Sequence, residues 1–167
     1  MLKYLAFILS ILPLLILIYY FSKSVLKIDV DLFKYSTTML LVSYSIQLIK
    51  KIPWPEKYHK YTMRPEGAGA CDYLSLKGKC SENTPGFPSG HCGTTSFFVI
   101  SNIMYLLKSN YKYKSLYILC NILLMISMGW ARYYKKCHNL IQIIVGTLYG
   151  GIIAFIYNYE KINFVNV

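Results

Sequence analysis

Three short stretches of the sequence carry residue types at spacings suited to work on a phosphate. In the first, Lys57 is followed after six residues by Arg64-Pro65. In the second, Pro88-Ser89-Gly90-His91 stands immediately before an apolar run. In the third, Arg132, five residues, His138, three residues and Gln142 follow in that order. Together they offer three permanent cations, two imidazoles and a hydroxyl. Arg grips a phosphate through a fixed fork of N–H groups, whereas Lys acts as a point charge. The amides of Gly90 and His91, where a helix is expected to begin, lack intrahelical acceptors and favour an anion. Pro88 restricts the approach, and Gly90 lets the backbone come close. Two histidines can divide a covalent mechanism, one as nucleophile and one as general acid and base.

These groups must be positioned by a chain of 167 residues that is 55% hydrophobic and only 15% charged. Soluble domains carry about 25% charged residues, so a conventional water-soluble core is excluded, as are disordered and collagen-like chains. The length allows one domain, 1–167, with the chemistry inside 57–142. Apolar runs at Leu2–Phe21, Leu32–Ile49, Cys92–Leu107, Ser115–Trp130 and Leu140–Tyr157 approach the roughly 20 residues that cross a bilayer. Lipid forbids unpaired backbone, so the fold expected is all-α: an integral membrane bundle with about five transmembrane helices. The first run reads better as an uncleaved span than as a signal peptide. It is long for one, and Ser22-Lys23-Ser24 is not an Ala-x-Ala cleavage site.

Residues 50–90 hold five of the six prolines and five of the ten glycines. A connection of that length usually carries function. Two spans precede it and two more precede the link at 131–138, so both are expected on the membrane face of the N-terminus. The +11 net charge fits juxtamembrane Lys/Arg and an anionic ligand rather than nucleic acid. The 17 tyrosines suit interface belts. Lys50, Lys51 and Trp54 read as interfacial anchors, Lys135 and Lys136 as headgroup contacts, and His59 as a surface residue. Cys71 and Cys80 form a disulfide if their face meets an oxidising compartment, or stay as free thiols. Cys92, Cys120 and Cys137 read as small buried or interfacial residues. Gly146-x-x-x-Gly150 could mediate a homodimer, although packing within the chain is the commoner use.

In order and spacing the three stretches resemble the motifs of the type 2 phosphatidic acid phosphatase family, lipid phosphatases related to vanadium haloperoxidases. Lys57 with Arg64-Pro65 matches its first motif, and Pro88–His91 matches its second intact. The resemblance implies that His138 attacks phosphorus and carries a phosphohistidine. It implies that His91 protonates the leaving alkoxide and then activates water. Lys57, Arg64, Arg132, Ser89 and the Gly90 amide would hold the phosphoryl oxygens, with no metal and no cofactor. The substrate implied is a lipid phosphate, phosphatidate-like or a polyprenyl (di)phosphate, approached from the lumenal or extracytoplasmic face. Five spans would be one short of the six usual in the family's membrane members.

The third motif departs from the family pattern at two positions. Ala131 stands where the family has Ser, and Gln142 where it has the Asp that orients the nucleophile. Gln can accept from the imidazole but brings no charge to an imidazolium. An impaired relative that binds lipid phosphate or partners, and a phosphotransferase acting on another alcohol, stand as the alternatives.

Overall fold

The computed structural model describes residues 2–69, 71 and 84–164. Helix α1 (Leu2–Lys27) is apolar almost throughout and contains Pro13. The chain then reverses at Ile28, whose φ is 51°. Asp29 begins α2 (Val30–Lys50) by accepting from the Leu32 amide at 3.0 Å, a standard satisfaction of an orphan helix donor. Prolines 53 and 55 bar further helix, and a 3₁₀ turn (Glu56–Tyr58) leads into one turn of helix, α3 (His59–Thr62). Three long helices complete the chain: α4 (Gly90–Lys108), α5 (Lys114–Tyr134) and α6 (Leu140–Phe164). Among the described residues there is no strand, only an isolated bridge between Met63 and Pro85.

The five expected apolar runs therefore all lie in long helices. Three stretches, α1, α5 and Leu140–Tyr159 of α6, are long and apolar enough to cross a membrane. Helices α2 and α4 have the length but a more polar composition, and the packing explains it for α4. That helix is the hub, lying against α6, α5, α2 and α1. Its Thr94, Thr95, Ser96 and Ser101 are buried among neighbouring helices. Met39, Val42 and Ile46 of α2, Phe97 of α4 and Ala154 of α6 make the apolar core. Polar links cross it: Tyr149 donates to the Ser45 hydroxyl at 2.7 Å, and Asn158 to that of Ser101 at 3.1 Å. Outward faces carry Ile8, Ile126 and Ile152, all exposed, as a lipid-facing surface requires.

The glycines of α6 face inward. A Cβ on Gly146 would strike the Ser89 backbone, and one on Gly150 the backbone of Gly93. The small-residue stripe thus lets α6 close against the start of α4 inside one chain. That contact takes the face on which a homodimer through Gly146 and Gly150 would have depended.

Candidate functional site

The site is built at the end of the bundle where α4 and α6 begin and α2 and α5 end. Its foundation is α3, which at four residues is too short to satisfy its own carbonyls. Distant groups satisfy them instead. The Gly86 and Phe87 amides donate to Thr62 O at 2.8 and 3.1 Å. Asn139 Nδ2 reaches Lys60 O and Tyr61 O at 3.4 and 3.3 Å. Gln142 Nε2 donates to Tyr61 O at 2.9 Å and to Met63 O at 2.7 Å. The same two residues shape the start of α6, where Asn139 Oδ1 accepts from the Gln142 amide at 2.9 Å. Gln142 O in turn accepts from the Ser89 amide at 2.9 Å, tying the starts of α6 and α4 together.

His138 stands one residue before this cap, 2% exposed, with Nδ1 2.9 Å from Gln142 Oε1. Both amide hydrogens of Gln142 point at carbonyls, so Nδ1 is the donor of that bond. Burial holds the His138 pKa well below the usual imidazole value, and the nearby Arg132, Lys50 and Arg64 charges push the same way against the Gln142 bond. His138 is therefore neutral at neutral pH, with the lone pair on Nε2.

His138 and His91 line one cavity of about 740 Å³ together with Arg64, Arg132, Lys50, Lys51, His59 and Gly90. Arg132 is fully buried; its NH1 donates to the Ser10 hydroxyl at 3.2 Å and its NH2 to Cys71 O at 2.6 Å. Arg64 differs. Its Nε and NH1 are buried and have no hydrogen-bond partner among the described residues. Two buried guanidinium donors beside a cavity are an opening for an anion, since buried donors left unmade are costly.

Of the residues expected from sequence, the structure brings His91, His138, Arg64, Arg132 and Gly90 to the cavity wall, with Gln142 directly behind His138. Ser89 is fully buried beside the wall and spends its amide on Gln142 O. Lys57 lies outside the wall, exposed, its ammonium 5.0 Å from the centre of the Tyr58 ring. Lys50 and Lys51, expected as interfacial anchors, line the cavity instead. His59 is not a plain surface residue: it lines the wall and donates through Nε2 to Trp54 O at 3.1 Å.

Two further members escaped the sequence reading. Ser10 is the only Ser or Thr in Leu2–Phe21, and that isolation was the signal: its hydroxyl donates to Ala6 O at 2.7 Å and accepts from Arg132. Cys71 pairs with Cys137, their Cα atoms 5.4 Å apart, because the chain just before it lies along the end of α5, where the Gly69 amide donates to Lys135 O at 3.4 Å. The expected Cys71–Cys80 pairing is thereby replaced, and Cys80 lies outside the described residues. The disulfide adjoins the cavity, with Cys71 on its wall and Cys137 behind it. Cys71 O holds Arg132, and Cys137 directly precedes His138.

A family model described as the PAP2 superfamily matches residues 31–163, which include all these cavity-lining side chains. No significant match was found among curated proteins or among solved structures.

Proposed function

The chain belongs to the PAP2 superfamily, whose members are generally phosphatases, and we propose that it is a multi-pass membrane phosphohydrolase that removes phosphate from a lipid. The observation that carries this reading is the cavity itself. A neutral buried His138, a second imidazole in His91 and the Arg64 donors, unpaired among the described residues, surround one volume large enough for a phosphate headgroup. In the first step His138 Nε2 forms a bond to phosphorus while the ester oxygen leaves, taking a proton from His91, which the negative charge of the bound phosphate holds as imidazolium. In the second step His91 removes a proton from water, whose oxygen attacks phosphorus and releases the P–N bond. The products are the lipid alcohol and inorganic phosphate, with both imidazoles restored.

Arg64, Arg132 and Lys50 stabilise the charge that spreads over the equatorial oxygens, so no metal is needed in this reading. Helices α2 and α4 complete a five-span bundle around the three apolar spans. Its outward Ile and Leu side chains leave a lipid tail in the bilayer while the headgroup enters. The Cys71–Cys137 pair favours an oxidising, extracytoplasmic face for the cavity.

The test is phosphate release from phosphatidate and from a polyprenyl diphosphate in detergent micelles containing EDTA. Release that His138→Ala abolishes is expected. Binding of either lipid with no release under any condition would contradict the reading and favour a binder. Transfer of phosphate to an added alcohol in place of water would favour the transferase.

A further inference from the structure

We propose that Gln142 is a positioning residue: with both amide hydrogens engaged by the Tyr61 and Met63 carbonyls, its oxygen must hold Nδ1–H of His138, which leaves Nε2 free as the nucleophile. The catalytic consequence rests on the phosphohydrolase reading; the geometry does not.

A carboxamide is ambiguous, because it can present either its oxygen or its NH₂ to an imidazole. That ambiguity is what makes it a poor substitute for a catalytic carboxylate. In a Ser-His-Asp triad, exchanging the acid for its amide costs about 10⁴ in rate because the imidazole is held in the wrong tautomer. In this chain the wrong orientation is closed off. Turning the Gln142 amide over would set its oxygen, now 2.9 Å from His138 Nδ1, against carbonyls at 2.9 and 2.7 Å from the present Nε2. Gln142 has no exposed surface, so water does not compensate.

The carbonyls are available because α3 ends after a single turn. Residue 142 and the end of α3 therefore work as one device, and neither is interpretable alone. A carboxylate at 142 would have no N–H for the Tyr61 and Met63 carbonyls, and its negative oxygens would face them. Gly86 completes the fit: a Cβ there would stand 2.6 Å from Gln142 Oε1. Gln142 is thus matched to its surroundings, and restoring the family's Asp does not repair the site.

The test uses the full chain in micelles, labelled with [¹⁵N]histidine, with His138 assigned by the signals lost in His138→Asn. Two-bond ¹⁵N–¹H couplings distinguish the neutral tautomers. The parent should show His138 with Nδ1–H alone. Gln142→Met should give a mixture with Nε2–H and lower kcat, with KM kept within about threefold. Gln142→Asp should release phosphate more slowly than the parent. If Gln142→Met does not fold, Gly86→Ala, which presses on Oε1 from the other side, should shift the tautomer in the same direction. An Nε2–H parent, a tautomer indifferent to these variants, or a Gln142→Asp variant faster than the parent would each overturn the proposal. A parent that releases no phosphate would sink the phosphohydrolase reading alone, because the spectra still decide the tautomer.

Discussion

The two ends of the bundle are built on opposite principles. At the end away from the cavity, helices are joined by short turns whose contacts are local. Ile28 reverses α1 into α2, Asp29 caps three residues on, and Tyr111 packs edge-on against Tyr117. At the cavity end the local bonds are overlaid by others that join distant segments: Gln142 to Tyr61 and Met63, Arg132 to Ser10 and Cys71, Cys71 to Cys137. Local turns need only the right residue type in place. A site assembled from segments far apart in sequence depends on the whole bundle, and in return it can bury a cation and a neutral imidazole side by side. Perturbation at the cavity end should therefore cost activity, and perturbation at the turn end should cost only stability.

The largest expected effect is at His138, the proposed nucleophile. His138→Ala should lower phosphate release by at least about 10³-fold, measured as kcat in EDTA-containing micelles. Next are the lysines. Lys50→Gln removes a cation from the cavity wall and should cost about 10²-fold in kcat/KM. Lys57→Gln, outside the wall, should stay within about threefold of the parent. The reverse order would move the phosphate cradle toward the 3₁₀ turn.

Breaking the disulfide comes third. Cys137→Ser frees the loop that presents Cys71 O to Arg132, and a misplacement on the order of 1 Å costs up to about 10² in rate. Loss of activity in Cys137→Ser, with the helical circular dichroism retained, is the expected pattern.

A smaller effect is a shift in pH dependence. The His138 pKa is lowered, so its neutral imidazole persists below the ordinary value of 6.5. The acid limb of kcat/KM should accordingly fall below pH 6.5, and Arg132→Gln should move it upward. An acid limb at or above 6.5 in the parent would contradict the buried, cation-flanked position of His138. Smallest is the control at the turn end. Asp29→Ala should cost about 1 kcal/mol of stability through the lost cap, with kcat/KM unchanged.

This contrast also explains what could be read from the sequence. Apolar runs announced the five long helices, because each is written in consecutive residues. The three phosphate-directed stretches were legible because their members are spaced locally, as in Pro88–His91 or Arg132 to His138. What is made across the bundle was not legible. No local pattern joins Cys71 to Cys137, 66 residues apart, and the nearer Cys80 was the natural partner in the linear chain. Lys50 and Lys51 looked like anchors because anchoring and lining a cavity at the membrane face require the same residue at the same depth. Gln142 looked like a loss because only the structure shows what waits for its amide hydrogens.

The central claim is that His138 carries phosphate covalently, and it can be tested by rapid quenching with [³²P]phosphatidate in EDTA. In the parent quenched within the first turnovers, and in His91→Ala, which lacks the base that activates water, alkali-stable and acid-labile label should appear on the protein. His138→Asn should carry none. Label that persists in His138→Asn, or phosphate release by a parent and a His91→Ala protein that never become labelled, would contradict the account.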